Sequence, residues 1–79
     1  MKLDIHYFGM IAEAIKCTRE EFILENKLTV SQLQHLLVKK YRNLEKLNYQ
    51  IAIDKKLVNT QTLITNDAEI ALLPPFAGG

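Results

Sequence analysis

Only one long stretch of the chain carries helical periodicity, and it sits between segments that alternate. Val30, Leu33, Leu36, Leu37 and Tyr41 recur at helical spacing, leaving Ser31, Gln34, His35, Lys39 and Lys40 for solvent. The start is marked chemically: Thr29 can cap the first turn while Gln32, three residues on, reaches back, a T-x-x-Q capping box. The helix is expected to end near Tyr41 or Arg42. A single amphipathic helix needs one sheet face to cover it, so the flanking segments must supply that sheet.

They are patterned to do so. In Lys2–Phe8, residues Leu3, Ile5 and Tyr7 fall on one face and Lys2, Asp4, His6 and Phe8 on the other, the period of a half-buried strand. Gly9 interrupts this strand, and Met10–Lys16 suits a short helix with Ile11, Ala14 and Ile15 as its stripe. Glu20–Glu25 sets Phe22 and Leu24 against Glu21, Ile23 and Glu25, a second strand that can pair with the first. Asn26-Lys27 is a turn candidate before the helix. After it, Asn43–Asn48 reads as a connector whose Leu44 and Leu47 fold back beneath it.

Tyr49–Ile53 is a third strand with Tyr49, Ile51 and Ile53 in phase. Asp54-Lys55-Lys56 suits a tight turn, and Leu57-Val58 a short edge strand. Thr60–Ile64 is weakly patterned, compatible with a helical turn. Asn66-Asp67 is a strong turn signal. Glu69–Leu73 is the last strand, apolar on both faces, as befits a central strand or one with a face reserved for a partner. The economical solution is an α+β fold: a β-grasp, ubiquitin-like, with a mixed sheet wrapped around the main helix. Its last strand should run parallel beside the first. One domain, residues 1–73, is expected, with residues 74–79 as an extended tail.

Composition agrees with a small globular domain. At 79 residues and 48% hydrophobic, the chain can build one core and is too apolar to be disordered. Ten basic residues against nine acidic leave a net charge of +1 without a basic stripe, which argues against nucleic acid as a partner. The opening Met1-Lys2-Leu3-Asp4 lacks the apolar core of a signal peptide, and no apolar run is long enough to span a bilayer. Cys17, the single cysteine, has no disulfide partner. A reducing cytoplasm is the default expectation.

Folding does not account for the ending, Leu72-Leu73-Pro74-Pro75-Phe76-Ala77-Gly78-Gly79. Each proline ring fixes φ near −65°, stiffening the chain. Two glycines then strip side chains from around the terminal carboxylate, which suits close approach to another protein. Alternatively the Gly-Gly is an ordinary loose end or the stump of a linker. Against that, Ile70-Ala71-Leu72-Leu73 delivers the tail straight from a strand with no linker between. Gly79 is therefore the residue expected to carry the chemistry.

This tail resembles the apolar-apolar-Pro-Pro-x-x-Gly-Gly terminus of the small, sulfur-carrying subunits of molybdopterin synthase. Three further segments agree with that family. Ile51-Ala52-Ile53-Asp54-Lys55-Lys56-Leu57-Val58 matches its apolar strand, polar turn and Leu-Val pair. Ile64-Thr65-Asn66-Asp67-Ala68-Glu69-Ile70 matches its turn into the last strand, with Asp67 where glycine is usual. Tyr7-Phe8-Gly9-Met10-Ile11-Ala12-Glu13 resembles a Phe-Phe-Ala-x-x-Arg-Glu segment, with Ala12 where arginine is common.

The resemblance implies a carrier with no catalytic site of its own. An ATP-dependent activating enzyme would adenylate the Gly79 carboxylate, and sulfur would then replace oxygen to leave a thiocarboxylate. The tail Pro74, Pro75, Phe76, Ala77, Gly78 and Gly79 would insert into the large catalytic subunit and donate sulfur to cyclic pyranopterin monophosphate, within a heterotetramer. No cofactor is expected on this chain; ATP belongs to the activating enzyme, since no glycine-rich phosphate loop is present. From the strand pattern, Ala71 and Leu73 face away from the helix on the side of Phe8, and Leu57 can join them. Phe8, Leu57 and Leu73 are thus the expected partner interface.

Other chemistry is weakly supported. Cys17 has no nearby His or acid to activate it. His6 and His35 fall on different elements, and no spacing suggests a metal site. Asp67 and Glu69 suit turn capping better than acid/base work. Three alternatives stay open: a sulfur carrier for thiamine thiazole, whose tails usually lack Pro-Pro; a ubiquitin-like modifier joined to lysines through Gly79; and a plain β-grasp binding module.

Overall fold

The computed structural model describes residues 1–75. Alternation in the first segment produces strand β1 (Lys2–Tyr7), which lays Leu3, Ile5 and Tyr7 into the core at 0%, 0% and 2% exposure. A short helix α1 (Gly9–Ile15) follows, ending where Lys16 turns left-handed at φ 58°. Then come β2 (Arg19–Ile23), a two-residue strand β3 (Leu28–Thr29) and the main helix α2 (Val30–Lys40). The capping box forms as expected: Gln32 N donates to Thr29 Oγ1 at 3.1 Å and Thr29 N donates to Gln32 Oε1 at 2.8 Å.

After α2, Arg42–Lys46 makes a 3-10 turn that buries Leu44, with Leu47 packed against the core behind it. Strands β4 (Gln50–Ile53), β5 (Lys56–Val58), β6 (Leu63–Ile64) and β7 (Ala68–Leu73) complete the chain. Five strands form one mixed sheet in the order β2-β1-β7-β4-β5; β1 and β7 are parallel and the other pairs antiparallel. This is the β-grasp that the element order implied. Val30, Leu33 and Leu37 of α2 pack onto the inner sheet face with Ile5, Ile70 and Leu72. Because β7 is bonded on both sides and covered by α2, Ile70 and Leu72 are fully buried, which accounts for its apolar run.

Two expectations need correction. Thr60–Ile64 is not a helical turn: Leu63–Ile64 is strand β6, which pairs with β3 in a separate two-stranded ladder. Its cue lies far upstream, where Leu28 meets Ile64. Leu36 belongs to the helical stripe by spacing but is 38% exposed, because α2 lies over the sheet along Val30, Leu33 and Leu37. Val38, outside that stripe, packs against the core as well.

The β4–β5 hairpin closes through Asp54-Lys55, both with positive φ (48° and 72°), the geometry of a type I′ turn built without glycine. Asp67 takes a different path. It keeps negative φ, and its Oδ1 accepts from the Lys2 amide at 2.7 Å, tying the start of β1 to the turn before β7. The Asp67 side chain thus fixes this turn by a hydrogen bond. No helix among the described residues is long and apolar enough to cross a membrane.

Candidate functional site

The last strand launches the tail. Strand β7 ends at Leu73, and Pro74, half-buried, follows with no intervening linker. Pro75 is exposed. The parallel β1–β7 ladder pairs Tyr7 with Leu72 and extends one residue further, where the Phe8 amide donates to the Leu72 carbonyl at 3.2 Å. Gly9 comes next at φ +57°, and a Cβ built there would lie only 2.8 Å from Pro74 Cγ. Pro74 therefore rests against the bare backbone of Gly9, where α1 begins. Phe76, Ala77, Gly78 and Gly79, expected to enter a partner, lie outside the described residues.

The three interface candidates share the sheet face turned away from α2. Register places Phe8 beside Leu73, since Tyr7 pairs with Leu72 one step earlier. Leu57 is further off: it pairs with Ala52, which pairs with Ala71. Phe8 and Leu57 are 45% and 62% exposed, and Leu73 is half-buried. Ala52, 4% exposed, joins the Leu57 and Ala71 positions in one apolar rung on this face. Met10, the residue after Gly9 on α1, is 57% exposed, which its place in a short amphipathic helix did not announce.

The same face has a charged half. Arg19 donates from Nε and Nη2 to the two carboxylate oxygens of Asp4 at 2.8 and 2.9 Å, and that fork holds the Asp4 carboxyl below its usual range. His6 Nε2 lies 3.3 Å from Asp4 Oδ2 but outside hydrogen-bond geometry, so it is inaccessible yet unpartnered among the described residues. The His6 ring stacks on Phe8 with centroids 6.4 Å apart. The alternating pattern placed Asp4 and His6 on the outer face, but Arg19 fell outside the expected second strand, and its pairing depends on the β1–β2 register, which joins it to His6.

Among the described residues, the other candidate chemical groups stay apart from one another. No group of three or more His, Cys, Asp or Glu side chains gathers as a metal site among the described residues. Cys17 is half-buried, its thiol donating to the Arg19 carbonyl at 3.4 Å. His6 and His35 sit on β1 and α2 respectively. A groove of about 340 Å³ runs between α2 and the β4–β5 hairpin, lined by Val30, Gln34, Tyr49, Leu57 and Val58. Its only titratable side chain is Tyr49, whose hydroxyl is pushed up by burial.

Comparison with known proteins fits this geometry. The ThiS family model matches residues 5–79. The molybdopterin synthase sulfur carrier subunit of Mycobacterium tuberculosis is 32% identical over 82 residues, covering all of this chain and 99% of that protein. Among solved structures, a protein–protein complex of subunits 1 and 2 of molybdopterin-converting factor from Helicobacter pylori contains a chain 27% identical, matched over the full length of both with a TM-score of 0.70. A putative molybdopterin converting factor subunit 1 from Pyrococcus furiosus superposes with a TM-score of 0.87 at 16% identity, covering 96% of this chain and 99% of that one. SAMP1 from Haloferax volcanii gives 0.82 at 18%, covering both chains fully. The last two speak to the fold alone. The family match across residues 5–79 and the full-length relative at 32% identity establish that the chain belongs to the ThiS family.

Proposed function

We propose that this protein is the sulfur carrier of molybdopterin synthesis, and that its Gly79 carboxylate is the group that carries sulfur. The observation that carries the reading is the direct run from the buried strand β7 into Pro74-Pro75, in a chain 32% identical end to end to a molybdopterin synthase sulfur carrier subunit. A carrier needs a rigid body, a stiff exit and a bare end. It needs no acid, base or metal of its own.

The chemistry is supplied in two steps. A Gly79 carboxylate oxygen attacks the α-phosphorus of ATP on an adenylating enzyme, expelling pyrophosphate and leaving an acyl-adenylate. A hydrosulfide-level nucleophile then attacks the carbonyl carbon; the C–O bond to AMP breaks, AMP leaves, and a proton is released as the thiocarboxylate forms. That anion is nucleophilic at neutral pH without a base on this chain. Docked on the large subunit through Phe8, Leu57 and Leu73, the tail would place its sulfur against cyclic pyranopterin monophosphate. Two deliveries would complete the dithiolene, and a large-subunit dimer flanked by two carriers would form the heterotetramer. The ATP chemistry and the mild reducing conditions fit a cytoplasmic setting.

Intact mass spectrometry tests the reading. After incubation with the adenylating enzyme, ATP and hydrosulfide, one oxygen should be replaced by sulfur, and fragmentation should place the change on Gly79. Adding the pyranopterin precursor and the large subunit should restore the original mass as dithiolene product accumulates. An unchanged mass with a competent adenylating enzyme would refute the carrier role. Uptake without delivery to the pyranopterin would move the protein to thiazole synthesis, and an isopeptide adduct on lysines would make it a modifier.

A further inference from the structure

We infer that Gly9 is a positioning residue for the tail, because its missing side chain sets the angle at which Pro74 leaves the sheet. The geometry is independent of the tail's chemistry; its functional consequence rests on the carrier reading. With φ at +57° and a hypothetical Cβ 2.8 Å from Pro74 Cγ and 3.8 Å from Cδ, Gly9 meets two demands at once. The backbone occupies the left-handed region, and the proline ring approaches closer than any side chain permits.

Neither partner can give way cheaply. Pro74 Cγ belongs to a closed ring and cannot swing aside like the end of a flexible side chain. On the other side, Gly9 is held at both flanks. The Phe8 amide is bonded to the Leu72 carbonyl at 3.2 Å, and the Ile11 amide to the Phe8 carbonyl at 3.2 Å. Ile11 is fully buried, and Asn43 Nδ2 donates to the Ala14 carbonyl at 3.1 Å, fastening α1 to the 3-10 turn. A side chain at position 9 must therefore move Pro74.

Small displacements at this root are amplified. Carbon atoms settle at about 3.5–4.0 Å, so relief from 2.8 Å demands a shift of roughly 0.7 Å or more. Taken about the preceding Cα, roughly 3.8 Å away, that is a rotation near 10°. Five further residues reach at most about 17 Å, so the end of an extended tail would be displaced by about 3 Å. Misplacement of a reacting atom by about 1 Å can cost on the order of 100-fold in rate. Docking through the outer sheet face fixes the body of the domain, so this angle passes directly to the terminus.

The experiment has a geometric arm and a kinetic arm. In the free protein, NMR should show a nuclear Overhauser contact between the Gly9 Hα and Pro74 ring protons; its absence overturns the inference. Gly9→Asn carries a Cβ yet tolerates left-handed φ, so it separates crowding from backbone strain, and Gly9→Ala serves as the harsher companion. In the complex with the large subunit, Gly9→Asn should lower single-turnover sulfur transfer (kcat) by about 10-fold or more while KM for the carrier moves less than about threefold. On a Pro74→Ala background the same substitution should add less than about twofold, since the ring it displaces is gone. Unchanged kcat, or effects of Gly9→Asn and Pro74→Ala that simply multiply, would overturn the role. A wild-type protein that takes up no sulfur would sink the carrier reading instead, and the NMR contact would then decide the Gly9–Pro74 geometry alone.

Discussion

The Tyr7 hydroxyl donates to Glu20 Oε1 across 2.6 Å, joining two neighbouring strands on the face that α2 covers. Lys40 Nζ reaches the other oxygen of the same carboxylate at 2.6 Å and lies 5.3 Å from the centre of the Phe22 ring. Burial alone would raise the Glu20 carboxyl, but the hydrogen bonds from Lys40 and Tyr7 outweigh it and hold the group below its ordinary value. An acid that loses its proton more readily when folded contributes stability above its unfolded pKa and loses it as pH falls. Glu20→Gln should therefore cost about 1–3 kcal/mol at neutral pH. The gap to wild type should close as pH drops below about 4.5. Urea denaturation followed across pH 3–8 checks this, and a gap independent of pH would refute it.

The alkaline limb has the opposite cause. Tyr7, Tyr41 and Tyr49 are all pushed up by burial, the first two also by the Glu20 carboxylate. Phenols that stay neutral in the folded state longer than in the unfolded chain make stability fall as pH rises above about 10. Tyr7→Phe should flatten part of that fall while costing about 1 kcal/mol at pH 7. Thermal melts between pH 7 and 11 would show both.

Leu73 and Leu72 alternate across one strand, so they offer a matched pair of tests. Leu73→Asp puts a charge on the outer face beside Phe8 and should abolish assembly with the large subunit while the isolated domain stays folded. Leu72→Asp puts it into the core at 0% exposure and should prevent folding altogether. Size-exclusion chromatography and circular dichroism separate the two. Normal assembly of Leu73→Asp would discard the docking face.

The hairpin turn offers a gain. Lys55 adopts φ 72°, where a side chain costs about 1–2 kcal/mol that glycine avoids. Part of that is returned as glycine's extra entropy in the unfolded chain. Lys55→Gly should raise stability by up to about 1 kcal/mol, or roughly 4–8 °C in Tm for a domain of this size. A lower Tm would mean that Lys55 makes contacts worth more than its strain.

Thr29 is the corresponding loss. Thr29→Ala removes the acceptor for the Gln32 amide at the start of α2 and should cost about 1 kcal/mol, read as a similar fall in Tm. Gln32→Ala, which frees only the Thr29 amide, should cost less.

Much of this fold was legible because its signals are local. The capping box, the alternation of Leu3, Ile5 and Tyr7, and the two-sided apolar run of β7 each declare themselves within a few residues. From these the element order and the β-grasp followed. What escaped depends on pairing between distant segments. Strand β6 has almost no pattern of its own and exists because Leu28–Thr29 gives it a partner. Leu36 carries the right spacing but sits off the line along which α2 meets the sheet. At the site, Pro-Pro and Gly-Gly were visible at once, whereas Gly9 read merely as the end of a strand. Its contact with Pro74 joins residues at opposite ends of the chain.

Because β1 and β7 run parallel side by side, the start of β1 and the end of β7 lie at opposite ends of the strand direction. Tension applied between the N-terminus and the tail would pull these strands along their length, loading the ladder bonds together in shear rather than unzipping them singly. A molecular motor that grips the tail meets a central strand bonded on both sides before it meets anything weaker. The chain that follows Leu73 is thus rooted in a strand held by a neighbour on each side.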